Sequence, residues 1–296
     1  MTGRHERHRH ATRATRIRRR AATSQGGVSL IELLVGIALG LLTIAVAVGA
    51  LLISRSVSST VSDTTHMQQR AAHAFRVIGR QIRQAGSLRL HMETADPTEP
   101  VAFEVKTGDF DAANTLRGID NPGAGQFTLT VGYTSYPDPV GTASSTPSFL
   151  TDCLDQQPIN GLVRSAFVLY VNPRDATQRD LRCKGKAEGS QPLIQNVADF
   201  QVRYLVQDES ASPGSPSIRY VNAQGVGTNW AEVTALEVCL VLYGGEPIDV
   251  EAGTSYIGCD GSAIDIAELP APRKKRMHMA FRTVYQLRSQ GVVGGS

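Results

Sequence analysis

Glu32 is the residue best placed to do chemistry in this sequence. It stands in Gly26-Gly27-Val28-Ser29-Leu30-Ile31-Glu32-Leu33-Leu34, just before a run from Leu33 to Ile53 that holds 21 residues without a charge. A carboxylate at the border of an apolar segment is costly unless a cation meets it. Near a helix N-terminus the same charge also serves as a cap. Charge alone leaves both roles open. The chemistry on offer is ion pairing in an apolar setting, where opposite charges attract far more strongly than in water. The other reactive side chains are scattered. Cys153, Cys183, Cys239 and Cys259 are separated by 29, 55 and 19 residues, too far apart for the paired spacing of a four-cysteine zinc site. Their even number points to disulfides if the head lies outside the cytosol, with three connectivities open. Of the seven histidines, three lie within the first ten residues, and His66, His73, His91 and His278 stand alone. Neither Gly-x-Ser-x-Gly nor His-Glu-x-x-His occurs. The expectation is a non-enzymatic protein without metal or cofactor.

The elements around Glu32 explain its position. Residues 1–27 carry eight arginines and one glutamate, a net +7, whereas the whole chain of 296 residues is only +3. Residues 28–296 therefore hold 22 basic and 26 acidic residues, a net −4. The basic character belongs to the leader, so no nucleic-acid partner is expected. The leader lacks the apolar core that an ordinary secretory signal has ahead of its cleavage site. As a helix, Leu33–Ile53 would span about 32 Å, enough for the hydrocarbon core of a bilayer. The arginine-rich flank stays on the cytoplasmic side and everything after Ile53 goes outside. Gly36 and Gly40 form a Gly-x-x-x-Gly pair that permits close helix approach.

The helix should continue past the membrane. No proline interrupts Ser54–Gly86, and Val57, Val61, Thr64, Gln68, Ala71, Phe75, Ile78, Ile82 and Ala85 fall at steps of four and three. The expected organisation is a leader over 1–27, one long helix over 28–86 (28–53 in the membrane, 54–86 amphipathic), a β-rich head over 87–290 and a disordered tail over 291–296. Gly86 serves as the C-cap. In the head, Phe127, Leu129, Val131 and Tyr133 alternate with small or polar residues, as do Phe200, Val202, Tyr204 and Val206, and Met279, Phe281, Thr283, Tyr285 and Leu287. These read as half-buried antiparallel strands, and Val233–Tyr243, nearly all apolar, as a central one. The fold class is α+β. The run Arg273-Lys274-Lys275-Arg276 reads as a solvated loop.

The junction Gly27-Val28-Ser29-Leu30-Ile31-Glu32-Leu33 resembles the class III signal of type IV prepilins and type II secretion pseudopilins. The resemblance implies cleavage after Gly27 by prepilin peptidase, N-methylation of Val28, and Glu32 as the fifth mature residue, pairing with the α-ammonium of a neighbouring subunit. The first mature residue is usually Phe in that family and is Val28 in this chain. Further along, Asp152-Cys153-Leu154, Leu181-Arg182-Cys183, Gln191–Val202 with Tyr204, Trp230 followed by Val233–Leu242, and Phe281–Arg288 resemble PilW-type minor pilins. That family is related to the J-type pseudopilin of type II secretion. The resemblance implies a pilin-like fold and a subunit that joins other minor pilins and the major pilin to initiate or cap a pilus, with a large tip adhesin as a possible neighbour. The subunit would start in the inner membrane with a periplasmic head and end on the cell surface of a Gram-negative bacterium. Relatives with an Asp-Gly-rich segment at Asp208–Gly214 could hold calcium; only two carboxylates remain in this chain, too few for such a site. The alternatives are a J-type pseudopilin and a single-pass membrane binding protein that never assembles. In an oxidising periplasm the cysteines are expected to pair as sequence neighbours, Cys153 with Cys183 and Cys239 with Cys259, each closing a loop worth about 3–4 kcal/mol.

Overall fold

The computed structural model describes residues 27–86, 90–91, 102–103, 106–107, 110–111, 115–135, 149–157, 161–208 and 217–287. The leader before Gly27, the loop Asp138–Pro147, the stretch from Glu209 to Pro216 and the tail Gly291–Ser296 lie outside them. Helix α1 spans Leu30–Gln84, two residues shorter at each end than the sequence suggests. It closes with the Ala85 amide on the Ile82 carbonyl (3.0 Å) and Gly86 at φ +73°, a backbone angle that glycine adopts freely. The chain divides between Ser54 and Arg55 into two compact units.

In the first unit the helix is built from Leu, Ile, Val, Ala and Gly, and its large apolar side chains, from Leu30 to Ile53, are exposed on every side. It is long and apolar enough to cross a membrane.

In the second unit, the rest of α1 docks on the head. The buried stripe is Met67, Ala71, Ala74, Ile78, Ile82 and Ala85. This corrects the stripe read from the sequence: Gln68, Val57 and Val61 face outward and Phe75 is only half-buried. The reading holds at Ala71, Ile78, Ile82 and Ala85; Met67 and Ala74 are buried where it placed Gln68 and Phe75. Gly79 lies against Tyr285, and a Cβ there would collide with the ring. The Tyr285 hydroxyl donates to the Phe75 carbonyl (2.8 Å), so the helix backbone and the last strand are tied directly.

The strands of the head form two principal antiparallel sheets. In one, β5 (Leu116–Gly118), β6 (Leu129–Thr134), β7 (Leu162–Asn172), β8 (Asp175–Lys184) and β9 (Gln191–Gln195) lie in sequence order. In the other, the order is β11 (Ser217–Val221), β10 (Val197–Asp208), β12 (Val233–Pro247), β15 (Arg276–Gln286). Small ladders join β1 (Leu90–His91) to β2 (Ala102–Phe103), β3 (Lys106–Thr107) to β4 (Phe110–Asp111), and β13 (Ser255–Ile257) to β14 (Ala263–Asp265). The apolar strand β12 is central, as its composition suggests, and pairs with both β10 and β15. A half-buried β6 is a reading the structure corrects: all six of its residues are buried. Even its outward face, with Thr130 and Thr134, is covered, and threonine fits such a face because its methyl packs while its hydroxyl finds partners. Strands β7 and β8 were not expected. They pair from Ala166↔Lys184 to Asn172↔Asp175 across the turn Pro173-Arg174.

Apolar side chains of the docked helix and both sheets merge into one core that includes Leu129, Phe167, Leu181, Tyr204, Leu236 and Leu240. A second, smaller cluster on the other face of the four-stranded sheet holds Ala198, Cys239, Val241, Tyr243 and Cys259, with Tyr256 against it. The segment between β12 and β15 roofs this second cluster.

Candidate assembly surface

At the start of α1 the Glu32 amide donates to Ser29 Oγ (3.2 Å) and the Leu33 amide to the Ser29 carbonyl (3.1 Å). Ser29 is thus the N-cap and Glu32 the third helical residue, the Ser-x-x-Glu arrangement of a capping box. The Ser-x-x-Glu spacing of Ser29 and Glu32 is the sequence signal of this cap. Among the described residues no ion pair engages the Glu32 carboxylate. Gly27 and Val28 precede the helix and are exposed. A Cβ added at Gly36 or Gly40 would meet nothing within 4 Å. The unit therefore offers an apolar cylinder with one carboxylate at its start and two small residues open to a close neighbour.

The head holds its part of the helix by buried polar contacts. Gln81, fully buried, donates to the Thr151 carbonyl (3.1 Å) and accepts from the Ser165 hydroxyl (2.9 Å). The Tyr133 hydroxyl donates to the same Thr151 carbonyl (2.8 Å) and lies 3.1 Å from Gln81 Oε1. Burial pushes the Tyr133 hydroxyl up to about 12, so it stays a neutral donor. Ser165 Oγ accepts the Cys153 amide (3.0 Å). Next to it the buried Asp152 carboxylate accepts three backbone amides, from Leu154 (2.8 Å), Gln156 (3.0 Å) and Lys186 (2.6 Å). A Cβ at Gly185 would strike that carboxylate. Cys153 is bonded to Cys183, with Cα atoms 6.4 Å apart, and locks this turn to β8. Helix, turn and five-stranded sheet are one satisfied network, and satisfied buried networks favour a single arrangement. By contrast, the exposed Arg80–Asp155 pair (2.7 Å) adds little.

The second disulfide, Cys239–Cys259 (Cα atoms 5.7 Å apart), pins the roof segment to the four-stranded sheet. Arg282 adds bonds to the carbonyls of Gly258 (2.7 Å) and Cys259 (3.2 Å). His278 is not isolated, as its sequence position suggests. Its ring stacks on Tyr256 (centroids 4.6 Å apart, planes 8° apart), Nδ1 lies 2.8 Å from the Arg276 carbonyl, and Nε2 is buried without a hydrogen-bond partner among the described residues. Burial, aided by the nearby Arg273, lowers its pKa from 6.5 to about 4. A lowered folded-state pKa means the neutral form stabilises the fold. That contribution is complete above pH 6.5 and is lost as pH falls from 6.5 toward 4. Urea unfolding at pH 7 and pH 4 should show wild type losing about 2 kcal/mol more than His278→Asn. Equal losses would show that His278 titrates alike in the folded and unfolded states, so that burial does not lower its pKa.

Among the described residues no cluster of His, Cys, Asp and Glu could hold a metal. Asp152, Gln81, Tyr133 and Ser165 are committed to internal bonds.

Residues 168–289 match the family model described as type IV pilus-assembly protein W. Over these residues the chain is PilW-like. The PilW-like region begins within β7 and contains β8 to β15, so it holds the entire four-stranded sheet, the roof segment and the Cys239–Cys259 bridge. A type IV-like pilin from Thermus thermophilus aligns at 11% identity with a TM-score of 0.37, covering 76% of this chain and 98% of that one. No curated protein matches the chain. The PilW-like region thus follows, in the chain, the long apolar helix α1 and the first strands of the five-stranded sheet.

Proposed function

We propose that this protein is a minor pilin that assembles with other minor pilins and the major pilin to initiate or cap a type IV pilus. The observation that carries the reading is the coincidence of two independent features. A Gly27–Glu32 junction opens an apolar helix whose large side chains are exposed, and a PilW-like region forms residues 168–289 of the head. On this reading prepilin peptidase cuts after Gly27 and Val28 becomes the methylated N-terminus. Residues 28–53 anchor the subunit in the inner membrane with its head in the periplasm. In the filament, Glu32 meets the α-ammonium of a neighbour while Gly36 and Gly40 let helices approach. The role is structural and not catalytic. A tip position fits a head of this size, from residue 87 onward, better than a tightly repeating shaft does. A J-type pseudopilin would share the junction; the PilW-like head favours the pilus.

Replacing Gly27 by Leu tests the processing step. Intact mass should show wild type starting at Val28 with one added methyl, and the variant uncut in the inner membrane. A wild-type protein that begins at Met1 in filament fractions would remove the basis for the reading.

A further inference from the structure

The basic run Arg273–Arg276 is not the loosely solvated loop its composition suggests. Its backbone is fixed at three points: the Arg273 amide bonds to the Pro270 carbonyl (3.0 Å), the Lys275 amide to the Ile266 carbonyl (2.9 Å), and the Lys275 carbonyl accepts the Ile248 amide (2.7 Å). Lys275 sits at φ +52°, a left-handed conformation that lysine rarely adopts, so the surrounding bonds hold it there. Arg276 is spent internally, with its guanidinium on the Gly244 and Gly245 carbonyls. Arg179 is likewise committed, to the carbonyls of Val197 (3.0 Å) and Ala198 (2.8 Å). Arg273, Lys274 and Lys275 remain. Lys274 and Lys275 are exposed, Arg273 is half-buried, and among the described residues none of the three forms an ion pair. The field of Arg273 falls on Arg179 and His278, which carry or would gain the same sign. Asp199 and Asp260 act on Arg179 or Tyr256, and Asp249 and Asp265 stand next in the chain to Ile248 and Ile266, the backbone partners of Lys275. A knuckle whose backbone is already fixed, with three cations outside any ion pair among the described residues, is an anion acceptor whose binding has only the side chains of Lys274 and Lys275 left to order.

We propose that the Arg273–Lys275 knuckle docks a carboxylate-rich surface of a second pilin-type subunit. This rests on the assembly reading given above. Two observations choose carboxylates over nucleic acid. The rings beside the knuckle are not free to stack bases: Tyr256 is covered by His278 and Tyr243 is buried, so the aromatic platform of single-strand binders is missing. And residues 28–296 carry 26 acidic against 22 basic residues, so subunits of this kind bring the complementary sign.

The test compares full-length protein in detergent micelles with Arg273→Ser/Lys274→Ser/Lys275→Ser. Both carry the leader arginines, so the difference reports the knuckle. The probes are fluorescent hexaglutamate and an oligothymidylate of equal charge, titrated at 50 and 500 mM salt. The triple variant should lose at least about fivefold in hexaglutamate affinity at low salt, with the gap closing at high salt. Lys274→Gln, a single exposed change, should lose about twofold if the triple variant unfolds. Equal hexaglutamate affinity for wild type and variants overturns the proposal, and a larger loss for oligothymidylate assigns the knuckle to nucleic acid instead. Both failures leave the Val28 terminus intact, so they are distinct from failure of the assembly reading.

Discussion

Glu32→Gln is expected to insert normally and to enter filaments at least about tenfold less than wild type. The substitution separates the two roles open to this carboxylate. A capping box works with glutamate or glutamine, so the helix start at Ser29 survives. Ion pairing does not survive, because the amide carries no charge. Insertion is only eased by removing a charge from the apolar border. A close ion pair at an effective dielectric of 20 is worth roughly 4 kcal/mol, and a third of that already gives tenfold in partition at each joint. Immunoblots of membrane and sheared-filament fractions measure the ratio. Wild-type incorporation by Glu32→Gln would assign Glu32 to the cap alone.

The second large effect is expected in the head. Cys153→Ser/Cys183→Ser removes the bridge across a separation of 30 residues and should cost about 3–4 kcal/mol by the chain-entropy argument. The loss should not stay local. The Cys153 amide is held by Ser165, which in turn donates to Gln81 of the docked helix, and Asp152 beside it gathers amides from both sides of the turn. Freeing the turn therefore loosens the seat of the helix. Urea unfolding of the full chain, oxidised and mutant, should show the drop together with a fall in steady-state abundance, since a few kcal/mol is a large part of the stability of a domain. A loss below about 1 kcal/mol would mean that the Asp152 turn holds itself.

What could be read from the sequence follows from range. The helix start, the apolar run and the closing Gly86 are local patterns, and the long helix lies within two residues of where they put it. The central place of β12 was legible because few strands are apolar on both faces. Strands β7 and β8 were not legible because Ala166–Val171 is a continuous apolar run, which periodicity cannot assign, joined by a turn with a proline. The helix stripe was legible at Ala71, Ile78, Ile82 and Ala85 and slipped by one residue at Met67 and Ala74, because 3–4 spacing admits either neighbour at those turns. Asp152, Gln81 and Tyr133 were invisible as a group because their contacts join residues 18 to 84 apart. His278 looked isolated for the same reason: Tyr256 reaches it only through the roof segment.

The central claim is assembly into a filament, and sheared filaments test it most directly. Intact-mass and quantitative proteomic measurement of purified filaments should find this protein starting at Val28, methylated, at a small fraction of the major subunit. Its complete absence from filaments, with the protein retained in the membrane at full length from Met1, would contradict the account.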